Sequence, residues 1–88
     1  MLRITVLEST VRATTLRVEG RIAGPWAEEL RTTCNEHIGS SPARLYLELE
    51  EVCFADDTAV AYLKQLQDQG VGFLRVSPFL TELFKNDF

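Results

Sequence analysis

The sequence predicts an α/β domain: a mixed sheet of four to five strands with three helices, in the order β-β-α-β-α-β-α. Three observations carry this. Residues 2–7 (LRITVL) and 13–20 (ATTLRVEG) alternate apolar and polar side chains, the period of a half-buried strand. Two later stretches repeat apolar residues at three- and four-residue spacing, the period of an amphipathic helix: Ala27, Leu30, Cys34 and Ile38, then Ala59, Val60, Leu63 and Leu66. Between and after them lie two apolar runs, 43–49 (ARLYLEL) and 71–76 (VGFLRV). Strands separated by helices imply parallel crossovers.

The first two strands form the simplest unit, a hairpin with its turn at residues 8–12 (ESTVR). Leu2, Ile4 and Val6 share one face, with Arg3 and Thr5 on the other; Leu16 and Val18 alternate with Arg17 and Glu19 in the same way. Gly24-Pro25 then opens a helix, because proline in the first turn lacks an N–H that would have no partner there. Glu28 and Glu29 suit the positive end of that helix. Trp26 falls beside the apolar stripe and is expected to be partly exposed. Gly39 closes the helix and residues 40–42 (SSP) connect it onward. In the next strand Leu45, Leu47 and Leu49 face one way, Tyr46 and Glu48 the other. Residues 53–62 (CFADDTAVAY) lead into a helix over 57–69, which Gly70 ends with a left-handed residue. A buried strand is expected over 71–76. Ser77 then caps a last helix, Pro78 begins it, and Leu80, Leu83 and Phe84 give it an apolar face.

Composition narrows the function classes. Eighty-eight residues are expected to make one domain, 1–88, with a core small enough that a partner or a weak homodimer matters. The net charge is −4 and the nine basic residues are scattered, which argues against nucleic acid and anionic lipid as partners. No apolar stretch approaches the roughly 20 residues of a membrane span, and MLRITVLEST lacks the order of a signal peptide, so a cytoplasmic protein with no direct membrane insertion is expected. Cys34 and Cys53 have no CxxC spacing and read as ordinary thiols.

Catalytic constellations are sparse. His37 is the only histidine, and no cysteine or carboxylate has a recognisable spacing to it. There is no GxxxxGK[ST], GxGxxG or GxSxG. Neither a cofactor nor a metal is expected. The best enzymatic candidate is acidic: Glu48, Glu50, Glu51, Asp56 and Asp57, near the C-terminal end of the central strand, where open α/β sheets hold ligands. One or two such carboxylates suffice for Mg²⁺. A phospho-accepting aspartate of the receiver type would need acidic residues after the first strand and a lysine after a late one; here Glu8-Ser9 and Ser77-Pro78 stand there. The plainer reading is helix capping, since an aspartate at the N-cap satisfies an orphan N–H and meets the positive dipole end. Asp56 fits that role.

Four pieces together resemble a known family: VEGRIAGPWAEEL (18–30), LYLELEEV (45–52), CFADDTAVAYLKQL (53–66) and GVGFLRVSPFLTELF (70–84). They are similar to the sulfate transporter and anti-sigma factor antagonist (STAS) domains of bacteria, in which a strand of the type L-x-L-D-L-x-x-V precedes F-[IMV]-D-S-[ST]-G-[LV] at the start of a helix. The resemblance covers nearly the whole chain. Phe54 matches the motif aromatic, Ala55 the small position and Asp56 the motif aspartate. Asp57 falls on the phosphoacceptor serine and Thr58 on the following Ser/Thr. Ala59 replaces the glycine, and Val60 matches the leucine.

The resemblance implies a non-enzymatic switch in transcription regulation. Such an antagonist binds an anti-sigma factor that is also a serine kinase, and phosphorylation of the serine breaks the complex. A phosphate at a helix N-terminus is held by the dipole and free N–H groups, yet adds about −1.5 to −2 charge to the docking surface. Asp57 has no hydroxyl to phosphorylate. Three readings follow: switching is lost, the aspartate imitates phosphate, or Thr58 is the acceptor. The surface implied for a partner is Trp26, Phe54, Asp56, Asp57 and Thr58, although Phe54 also suits the core. Single-domain relatives implied by the same resemblance serve as small cytosolic subunits beside the ATPase of lipid-transport complexes.

Overall fold

A computed structural model describes residues 2–38 and 44–86 of the chain. Eight elements follow one another: β1 (Leu2–Ser9), β2 (Thr14–Ile22), α1 (Pro25–Ile38), β3 (Leu45–Glu48), β4 (Val52–Ala55), α2 (Asp57–Asp68), β5 (Gly72–Leu74) and α3 (Pro78–Asn86). The expected end of the first helix at Gly39 and the connector at 40–42 lie outside the described residues. The five strands form one mixed sheet in the order β1-β2-β3-β5, with β4 also paired to β2.

β1 and β2 are the antiparallel hairpin, and its turn is shorter than the alternation suggests. Thr10 accounts for this. Its Oγ1 accepts the N–H groups of Arg12 and Ala13 at 3.1 Å each, closing a side-chain turn that lets pairing run out to Ser9 and Thr14. β3, β4 and β5 are parallel to their neighbours. α1 packs on β2, β3 and α2, while α2 and α3 pack on β4.

The order differs from the expected one by a strand. β3 pairs with the first half of β2 (Thr14↔Leu45 to Arg17↔Glu48) and β4 with its end (Gly20↔Val52 to Ile22↔Ala55). Both lie along the same side of β2, so they are two halves of one interrupted strand. The pairing offset grows from 31 to 33 residues across the break (Arg17↔Glu48 against Ile22↔Ala55). One extra residue is thus taken up around Leu49–Glu51 (Gly20↔Val52, offset 32) and a second at Cys53 within β4, where the register shifts between Gly20 and Arg21. Gly20 bridges the gap by donating to the Glu51 carbonyl at 3.0 Å.

β2 alternates as its sequence requires. Thr14, Leu16, Val18 and Ile22 are buried, whereas Arg17 is half-buried and Arg21 exposed. The core joins them to Leu45, Leu47, Leu30, Cys34, Leu63, Leu66 and Leu80, all essentially inaccessible. Each such leucine contributes roughly 1.5–3 kcal/mol by leaving water. On the opposite face Arg17 Nε donates to Glu48 Oε1 at 3.0 Å. β1 joins the core only through its first residues: Leu2 is buried and Ile4 half-buried, but Val6 is 48% exposed. The expected half-buried face of this strand therefore ends at Ile4.

The expected strand over 71–76 is also shorter. β5 is a three-residue edge strand, Leu74 is exposed, and Arg75 turns the chain with φ 51°. Gly72 lies in register with Tyr46, whose ring comes within 2.6 Å of where a Cβ would sit. The last helix starts as its sequence indicates, with Leu80 N–H donating to Ser77 Oγ at 3.2 Å.

Candidate functional site

Two helices begin at the same end of the sheet. β2 ends at Ile22 and α1 starts at Pro25; β4 ends at Ala55 and α2 starts at Asp57. Ile22 and Ala55 are register partners, so the two helix starts are neighbours.

Asp56 joins them. Its backbone is extended (φ −78°, ψ 175°), the conformation of an N-cap. Oδ1 accepts from Ala59 N–H at 2.8 Å, capping α2. Oδ2 accepts from Gly24 N–H at 2.9 Å, holding the turn before α1, where Gly24 takes φ +54°. Its own N–H donates to Ile22 at 3.1 Å and its carbonyl accepts from Val60 at 2.9 Å. Every polar group of Asp56 is therefore engaged. The two N–H donors, Gly24 first and Ala59 second, hold its carboxyl below the usual carboxylate range.

Asp57 and Thr58 open α2 and both are exposed. Asp57 adds negative charge to the first turn, where the dipole favours it. Trp26, in the first turn of α1, is 38% exposed. The Asp56–Gly24 bond thus brings Trp26, Asp56, Asp57 and Thr58 to one end of the molecule.

Phe54 lies just below. It is half-buried, with the Arg21 guanidinium 4.4 Å from its ring centroid and the Phe79 ring at 5.9 Å. Arg21 is its register partner on β2. Arg21 and Phe79 are two neighbours of the site that the sequence reading missed. The spacing between β2 and β4 was the available signal for Arg21; Phe79 comes from α3 and had none.

The acidic group divides. Glu48, Glu50 and Glu51 line a hollow of about 320 Å³ together with Glu19, Arg17 and Arg75, and Glu48 is paired to Arg17. Asp56 and Asp57 lie beyond β4 at the helix starts. The five carboxylates do not converge as one site, because the break around Leu49–Glu51 and β4 separate them. Among the described residues no group of three or more His, Cys, Asp or Glu is placed to hold a metal.

His37 is at the other end of β2, where a hollow of about 190 Å³ is lined by Thr10, Val11, Thr14 and Arg44. Its Nδ1 donates to the Thr33 carbonyl at 2.9 Å. Cys34 is buried and Cys53 exposed, and both are free thiols. Burial pushes the Cys34 thiol up to about 11. Among the described residues no helix is long and apolar enough to cross a membrane.

No family model matches the sequence, and no curated protein matches it. A solved structure does: the anti-sigma factor antagonist SpoIIAA in its unphosphorylated form superposes with a TM-score of 0.66 over 94% of this chain and 82% of that one, at 15% identity. At that identity the likeness is one of fold. Five strands in one mixed sheet, three helices, and two helix starts joined by a capping aspartate make this chain a STAS-like fold.

Proposed function

We propose that the chain is a non-enzymatic protein-interaction module of the anti-sigma factor antagonist type, acting in the cytoplasm through Trp26, Phe54, Asp56, Asp57 and Thr58. One observation carries this reading: Asp57 and Thr58 are exposed on the first turn of α2 while Asp56, not Asp57, caps α2 and ties it to Gly24 in the turn before α1. Residue 57 is thus free to face a partner. In the family this chain resembles, that place belongs to the regulated serine.

Asp57 supplies about one negative charge and no hydroxyl, so a serine kinase has no substrate there. The partner of such a module is an anti-sigma factor with kinase ancestry, bound in a form that residue 57 does not switch. The same substitution favours a second reading, a small subunit docked on the ATPase of a lipid-transport complex, which needs a stable surface and no phosphorylation cycle.

A pull-down from the native cell tests the proposal, comparing wild type with Asp57→Arg at matched thermal stability. The expected result is a partner captured by the wild type and lost from the variant; its identity separates the two readings. A partner retained equally by both refutes the surface. Intact mass after incubation with the cognate kinase and ATP adds the other arm. A phosphate on Thr58 would show that the switch has moved, and transfer to an Asp57→Ser variant alone would show that it has been lost.

A further inference from the structure

β1 stands at one edge of the sheet, so its outer row of N–H and C=O groups faces away from β2. The other strands with an unpaired side, β4 and β5, are four and three residues long; β1 is eight. Edge strands of that length are ordinarily blunted by charged side chains, proline or bulges; LRITVLES has no lysine or proline, and its blunting features are Arg3, Glu8 and the bulge between Val6 and Glu8. Two of its apolar side chains are also left uncovered. Val6 is 48% and Leu7 41% exposed, although Val6 is in register with the inaccessible Leu16.

A bulge decides which charges share a face. Arg3 pairs with Glu19, Thr5 with Arg17 and Val6 with Leu16; Leu7 is then the extra residue, and Glu8 pairs with Thr15. Glu19, Arg17 and Thr15 are alternate residues of β2 and point one way. Arg3 and Glu8 therefore lie on the same face, where an unbroken strand would put them on opposite faces. Among the described residues neither Arg3 nor Glu8 makes an ion pair.

We propose that β1 pairs antiparallel with β1 of a second copy, about a two-fold axis through Thr5, continuing the sheet across a weak dimer. In this register Ile4 meets Val6 of the second copy, and Arg3 meets the Leu7–Glu8 bulge. Each end of the pairing then carries one Arg3–Glu8 contact, and the uncovered Val6 gains an apolar neighbour. The charge order along β1, cation near one end and anion near the other, complements itself only when reversed. That order singles out a second copy as the occupant. The surface is separate from the proposed docking site, and either can fail without the other.

Sedimentation equilibrium on the 88-residue chain, up to about 1 mM, tests the dimer. The wild type is expected to dimerise. Arg3→Glu and Glu8→Arg, each placing like charges opposite one another twice, weaken it roughly tenfold or more. The double variant Arg3→Glu/Glu8→Arg restores it, and thermal melts establish that all three are folded. Independently, Thr5→Cys in a Cys53→Ser background should cross-link rapidly on oxidation. Opposed residues at the axis have Cα atoms about 4.5–5.5 Å apart, within disulfide reach. Val11→Cys in that background, at the 88% exposed hairpin tip, should cross-link slowly. A monomeric wild type, a double variant no tighter than the single ones, or equal cross-linking at positions 5 and 11 overturns the proposal.

Discussion

Replacing Tyr62 by phenylalanine is expected to make this protein more stable. Tyr62 is on α2 and only 5% exposed. Its ring carries the Arg31 guanidinium of α1, 4.5 Å from the centroid. Its hydroxyl is buried without a hydrogen-bond partner and leans on the Cys34 thiol, a weak donor and acceptor. Burying a hydroxyl unpaired costs roughly 1–3 kcal/mol, and the thiol returns only part of that. Phenylalanine keeps the ring, the packing and the cation contact while removing the orphan oxygen. The expected gain is about 1 kcal/mol, or about 4–8 °C in Tm for a domain of this size. Thermal and urea unfolding at neutral pH, followed by circular dichroism, would measure it. Repeating the substitution in a Cys34→Ala background should give a larger gain, because the weak thiol partner is gone. A Tm that falls on Tyr62→Phe would refute the reasoning, since the hydroxyl would then be making a bond worth more than its desolvation.

Two pH predictions follow from buried or bonded groups. Cys34 has its thiol pushed up to about 11 by burial, so the stability it contributes is complete below its ordinary value near 9 and lost as pH rises from there to about 11. The loss should reach about 2–3 kcal/mol, and Cys34→Ala should flatten unfolding curves recorded across that window. Asp56 runs the other way. Its carboxyl is held down by Gly24 and Ala59, so its contribution is complete above the ordinary carboxylate range, about pH 4, and is lost as pH falls below it. Asp56→Ala should lower Tm at neutral pH, and the gap from wild type should close in acid; a gap independent of pH would mean that the carboxylate bonds do not stabilise the fold.

What the sequence made legible was whatever one element states by itself. The alternation of Leu16 and Val18, the stripe Ala59, Val60, Leu63 and Leu66, and the Ser77-Pro78 start all match the structure. Gly70 ends α2 as expected: it has φ 103°, its N–H reaches the Gln67 carbonyl, and Val71 N–H reaches Leu66. What was illegible depends on two elements at once. The apolar spacing steps from two to three between Leu49 and Val52, the trace of the break between β3 and β4. A single strand can absorb such a step, so only pairing with β2 reveals it. Val6 looked like a core residue because alternation reports the face and not how far the helices reach over it. At the site, the pattern placed Asp56 at the cap of α2, but its second bond, to Gly24, joins residues 32 apart. The acidic group looked like one site for the same reason, since proximity in sequence hid the separation that β4 imposes.

The complete engagement of Asp56 has an evolutionary consequence. Because Asp56 rather than Asp57 caps α2 and ties it to the turn before α1, residue 57 can change with little effect on folding, as exposed positions away from such features ordinarily cost within about half a kcal/mol. Serine, aspartate or another small polar residue can occupy the same slot on an unchanged scaffold. A single substitution at residue 57 can therefore change the charge or the hydroxyl presented at this end of the molecule without compensating changes in the core. The architecture keeps its rigidity at a position where mutation is costly and leaves the exposed neighbour beside it open to change.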